Sequence, residues 1–171
     1  MIKKIFLILF ILIFSQSLMA ETPHYINFKY ILNQSTAGKK AQDYLKKKLE
    51  NGIKNVNDKE KQVQEEEKKI IQQKKIISQE EYKKKVTELR KKVANLQKER
   101  NKILQSVAKE RAKAKNELLK NLNPIIKQYM EEKNIRMIID KKNLILADET
   151  LDITTEIINR LNKNLKSIKL N

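Results

Sequence analysis

Between residues 36 and 133 the chain has one thin apolar stripe running through charged and polar sequence, and that pattern fits little except a long helical hairpin. On the outgoing side Leu49, Val56, Val63, Ile70 and Ile77 recur every seven residues. A complete coiled-coil seam places a second apolar residue inside each repeat. Ile53 fills the first such place, but the next three hold Lys59/Glu60, Glu66/Glu67 and Gln73/Lys74. The returning side is better furnished: Tyr82, Val86, Leu89, Val93, Leu96, Ile103 and Val107 alternate by threes and fours, with Arg100 as the interruption. Ser78 followed by Glu81 is a capping-box signature and sets the tip near 76–79, where Ile76, Ile77 and Tyr82 are expected to pack. No proline interrupts either side before Pro124. Glu50–Lys54, Glu65–Lys69, Glu80–Lys84, Glu81–Lys85 and Glu88–Lys92 stand four apart in the favourable order, worth roughly 0.2–0.5 kcal/mol each. An arm of about 40 residues would reach roughly 60 Å.

The positive charge is concentrated in this hairpin. It holds 28 basic and 15 acidic residues, so +13 of the chain's +17 resides there. Such a face attracts anions, although a charge run on a helix also arises as a plain solvated surface. Ahead of it, Met1–Ala20 has the layout of a secretory signal: Lys3 and Lys4, an unbroken apolar run from Ile5 to Phe14, then a small-residue end at Ala20. The apolar run is too short to span a bilayer, which takes roughly 20 residues. Export with removal of residues 1–20 is therefore expected, with the periplasm as destination. The chain has no cysteine, which excludes disulfides, a lipid-modified cysteine and thiol-bound metals. His24 is the sole histidine, and Gly38 and Gly52 are the sole glycines. No phosphate-cradling loop can be written with them, and His24 has no second His or Cys to share a metal. Neither cofactor, metal nor catalytic residue is expected. A pI near 9.9 invites a nucleic-acid reading. The export signal argues against it, as does Tyr82 being the lone aromatic between residues 45 and 128.

Flanking the hairpin, 21–35 and 134–171 read as a small head. His24–Asn27 is a strand candidate, and Asn27 caps a short helix with Phe28, Ile31 and Leu32 on one face. Residues 136–140 and 144–147 read as two more strands joined by a Lys141–Asn143 turn. Asp152 is expected to cap a terminal helix burying Ile153, Ile157, Ile158, Leu161 and Leu165. Roughly 50 residues without staples make a marginal core, so several heads completing one sheet or barrel is the expected remedy.

The chain resembles the Skp (OmpH-like) periplasmic chaperones. The resemblance runs through Tyr25-Ile26-Asn27-Phe28 and the Ile31–Gln42 stretch, resumes at Ser78–Lys85, and ends in Ile138-Ile139-Asp140, Leu144–Ala147 and Asp152-Ile153-Thr154. It implies a mostly α fold: a homotrimer whose heads form a shared small β-barrel and whose coiled-coil arms surround a cavity. The implied function is ATP-independent binding of unfolded outer-membrane β-barrel proteins. Under that reading the arm faces contact clients through Val56, Val63, Ile70 and Ile77 and through Lys68, Lys69, Lys74, Lys75, Lys83, Lys84, Arg90 and Lys91. Tyr25, Ile26, Phe28, Ile138, Ile139, Leu144 and Leu146 would make the head contacts. An anionic lipid or lipopolysaccharide surface is a further expected partner. The competing expectation is a structural coiled-coil envelope protein without clients.

Overall fold

A computed structural model of the chain describes residues 22–170. The expected leader, Met1–Ala20, lies outside the described residues. The elements run β1 (His24–Ile26), α1 (Phe28–Gln34), α2 (Thr36–Gln73), α3 (Gln79–Lys133), β2 (Ile138–Asp140) and α4 (Thr154–Asn164), with 3₁₀ turns at Lys141–Asn143 and Glu149–Leu151.

Local chemistry fixes the helix starts. The side chain of Asn27 accepts from Tyr30 N and starts α1, as its sequence position predicts. Ser35 is fully buried and accepts from Gly38 N, so it alone separates the end of α1 from the start of α2. Gly38 is required there: a Cβ would fall 2.0 Å from the Leu32 carbonyl oxygen. The tip closes over five residues between Gln73 and Gln79, and Ser78 Oγ accepts from Glu81 N at 3.2 Å. Glu81 itself turns to Lys85 at 3.6 Å. At the far end Asn134 adopts a left-handed conformation (φ 52°), and Ile135 N returns to Met130 O, which stops α3 and turns the chain into β2.

At 1.5 Å per residue the 38 residues of α2 extend about 57 Å and the 55 of α3 about 82 Å. The surplus of α3 runs under the head and furnishes its core. Leu118, Leu122, Ile125 and Tyr129 pack with Ile31 from α1 and Ile157 and Leu161 from α4. The head is thus better filled than residues 21–35 and 134–171 alone suggest, and the shortage behind the expected oligomer is smaller. Two long-range hydrogen bonds tie its halves: Asn27 N donates to Thr154 Oγ1 at 2.8 Å, and Thr36 N donates to Asn162 Oδ1 at 2.7 Å.

β1 and β2 are parallel, with Tyr25 opposite Ile139. On its other side Tyr25 bridges Asp152, and its carbonyl accepts from Ile153 N at 3.1 Å. β1 is therefore the middle of three extended pieces, while the outer edge of β2 has no strand beside it among the described residues.

Two sequence expectations are corrected here. Leu144–Ala147 is not a strand within the chain: Lys141–Asn143 forms a 3₁₀ turn capped by Asp140, and the following residues are irregular. An apolar β-type run needs a neighbouring edge to pair with, and this chain folds none beside it. Asp152 lies one residue before the N-cap position of α4, yet its Oδ1 accepts from Thr154 N at 2.9 Å, so the capping chemistry survives the shift.

Candidate functional site

The exposed surface of the arm and the apolar face of the head are the two candidate regions. Along the arm, the places where the apolar seam lapses are filled by polar pairs that cross between helices. Lys59 meets Glu99 at 2.7 Å, Arg100 meets Glu60 at 2.9 Å, Lys92 meets Glu66 at 2.6 Å, and Lys85 donates to Gln73 at 2.8 Å. Lys48 pairs with Glu110 nearest the head. From Lys48–Glu110 to Lys59–Glu99, then Glu66–Lys92, then Gln73–Lys85, the steps are eleven, seven and seven residues on both helices. The register does not slip along the whole arm. Gly52 admits Ile103 at the seam, where a Cβ would sit 2.8 Å from its methyl.

These pairs change the expected charge pattern. Lys92 was expected to pair with Glu88 on its own helix but reaches across to Glu66, and Arg100, the interruption in the returning stripe, holds Glu60 and Asn57 together. Of the five expected pairs within one helix, Glu81–Lys85 forms. Sequence spacing favours neighbours four apart, so partners on the facing helix went unseen. The Lys48–Glu110 pair was missed for the same reason. Glu110 is buried, it takes hydrogen bonds from Lys48 and Ser106, and its Oε2 has no partner among the described residues. The Glu110 hydrogen bond holds the Lys48 ammonium above its ordinary value.

The expected client-facing residues separate into two groups. Val56 and Ile70 are buried between the helices, and Val63 and Ile77 are half-buried, so in the closed arm the stripe is seam rather than offered surface. The eight cations Lys68, Lys69, Lys74, Lys75, Lys83, Lys84, Arg90 and Lys91 are all exposed. Lys74 stands 5.8 Å from the centre of the Tyr82 ring. The apolar side chains presented outward are others: Ile71, Val93 and Leu104 along the arm, and Ile76, which is 82% exposed at the tip rather than packed there.

On the head, Tyr25 and Ile26 are buried within the single chain. Lys141 lies 5.7 Å over the Tyr25 ring. Phe28, Ile138, Ile139 and Leu144 are half-buried, and Leu146 is exposed. Beside β2 an open trough of about 460 Å³ is lined by Phe28, Ile126, Met130 and Ile138 among others. Met137, Ile145 and Leu146 stand out from the same end, with Ile145 and Leu146 essentially uncovered. α4 is locked to α3 by Arg160, which stacks on Tyr129 at 4.7 Å and pairs with Glu132 at 2.7 Å. The Arg160 hydrogen bond holds the Glu132 carboxyl below its ordinary value. Hydrogen bonds from the backbone and hydroxyl of Thr150 do the same for Asp148.

Among the described residues no group of three or more His, Cys, Asp or Glu side chains is arranged to hold a metal ion, and no helix is long and apolar enough to cross a membrane.

Residues 24–161 match the family model for outer membrane protein (OmpH-like). Among solved structures, the fold is similar to a Caulobacter crescentus protein described as a "putative outer membrane chaperone (OmpH-like)". The two share 19% identity and a TM-score of 0.79 over 88% of this chain and 90% of that one. No curated protein matches the sequence significantly.

Proposed function

The chain belongs to the OmpH-like outer membrane protein family, and from that premise we propose that it is an ATP-independent periplasmic holdase for unfolded outer-membrane β-barrel proteins. The observation that carries this reading is the arm: two helices in fixed register project from a small head and present eight exposed cations with scattered apolar side chains. Such a surface makes many weak contacts. A client held by several of them stays bound while each contact breaks easily, and release needs no nucleotide. Attraction between exposed charges is screened over about 8 Å at physiological ionic strength, so capture depends on salt.

Three copies joined through their heads would enclose a cavity between the arms. The free edge of β2, the trough beside it and the uncovered Ile145 and Leu146 support head-to-head assembly, since exposed apolar area of this kind is ordinarily covered. Leu146→Asp tests it without harming the monomer, because Leu146 is 91% exposed. A trimer in sedimentation should become a monomer. The arm cations would also hold the protein at an anionic lipid or lipopolysaccharide surface.

Function is tested by diluting a denatured outer-membrane β-barrel protein into buffer with the mature chain and following light scattering. Suppression of aggregation that weakens as salt rises is expected. Unchanged aggregation would leave a structural coiled-coil protein without clients.

A further inference from the structure

Where the arm joins the head, α2 and α3 meet through small residues, Ala41 and Ala114, and leave a channel on each flank of the pair. One channel is filled by the chain's own C-terminal tail. Leu170 is buried against Ala41, Leu45, Val107 and Ala114, and Ile168 packs on the same cluster, while Lys169 between them is exposed. The tail thus docks as alternating inward and outward side chains, the habit of an extended strand. It runs past Lys113, Glu117 and Asn121 of α3.

The opposite channel is open. It measures about 590 Å³, with Leu45, Leu49 and Leu118 in its floor and Lys46, Arg111 and Lys115 at its rim. That volume is in the range of ordinary ligand clefts. Lys113 and Lys115 are two residues apart, about 200° around a helix, which sends them to the two different channels. Lys46 leans 3.8 Å from Glu50, whereas Arg111 and Lys115 pair with no carboxylate among the described residues. Asp43 is the one acidic side chain on the rim.

We propose that this open channel is a client subsite that takes an extended segment with aliphatic or aromatic side chains at alternate positions and carboxylates between them. The proposal rests on the chaperone reading above and locates one grip of it at the root of the arm. The filled channel shows what backbone form the helix pair accepts, and the rim supplies the opposite charge preference. Segments of this kind are abundant in unfolded β-barrel proteins, whose strands alternate apolar and polar residues over about ten positions.

The test uses the full mature protein and a fluorescent ten-residue peptide alternating leucine with glutamate or serine. Anisotropy should show binding that weakens at least tenfold in the double variant Arg111→Glu/Lys115→Glu. A peptide with lysine in place of glutamate should bind that variant better than it binds the wild type. The variant Lys163→Glu, on the exposed face of α4, should leave the peptide affinity unchanged. Circular dichroism and sedimentation confirm that each variant is folded and assembled. If the wild type fails to bind the peptide yet keeps a full-length client soluble, the subsite is wrong and the chaperone reading stands. If the client aggregates regardless, the reading itself falls. Binding of lysophosphatidylglycerol but not peptide, lost in the double variant, would make the channel a lipid site. A changed sedimentation of the double variant with no peptide bound by the wild type would assign the channel to a second copy. Either result overturns the proposal.

Discussion

At the head, segments up to 127 residues apart in sequence close around Ile31, Leu122, Ile157 and Leu161, each nearly or wholly enclosed. In the arm, two helices joined by five residues touch through Val56, Ile70, Leu89 and Leu96, with ion pairs between them that are one-third to one-half open to solvent. The head is held by apolar burial, which scales with area and responds little to dilute salt. The arm is held by local helix formation, a narrow seam and charges that water and ions screen. The two regions should therefore loosen under different conditions, the arm first and in pieces, the head last and all at once.

The sharpest break of that contrast is Leu122→Ala. Deleting an enclosed leucine costs about 2–5 kcal/mol, and because β1 and all four helices share this core the whole head should melt earlier. Urea unfolding followed by far-ultraviolet circular dichroism would show it. A midpoint within error of wild type would mean that the head is not one cooperative unit. Val56→Ala removes the best-buried side chain of the seam. Its cost is about 1.5 kcal/mol at roughly 0.8 kcal/mol per buried CH₂, and it should be felt locally. Amides between residues 49 and 107 should exchange faster while those of α4 keep their protection.

Arg100→Ala frees Glu60 and Asn57 on the facing helix. The pair is partly exposed, so the effect should stay within about 1 kcal/mol and vanish as salt is raised. Exchange rates in the arm measured at low and high salt would separate wild type from variant only at low salt. The smallest effect belongs to acid. Arg160 depresses the Glu132 carboxyl below the ordinary value of 4.5, so its stabilisation is complete above that value and is lost as pH falls through the lowered one. Glu132→Gln should be less stable than wild type at neutral pH, and the two urea midpoints should converge in acid. Parallel curves would mean that the contact contributes nothing to the head.

Two helix starts were legible in local signals: Asn27 and Ser78 cap where their side chains predict. The seven-residue stripe gave the hairpin and its seam. What the sequence hid was long-range. No local pattern pairs Tyr25 with both Ile139 and Asp152, and no spacing rule joins Lys92 to Glu66 rather than Glu88. Leu144–Ala147 has the composition of a strand but lacks a partner within the chain, so composition alone overstated it. For the candidate site, exposure of the lysines followed from their number and helical spread. The burial of Val56 and Ile70, and the tail's seat at Leu170, depended on packing that composition does not encode.

β1 lies between β2 and Ile153, and both of its neighbours come from the last quarter of the polypeptide. A chain delivered N-terminus first must keep this strand waiting until nearly everything else has emerged. The hairpin can zip from its tip in the meantime, because its contacts join residues already present. Maturation therefore ends, rather than begins, at the oldest residues of the folded part, and a product stalled before residue 138 would own limbs with nothing to anchor them.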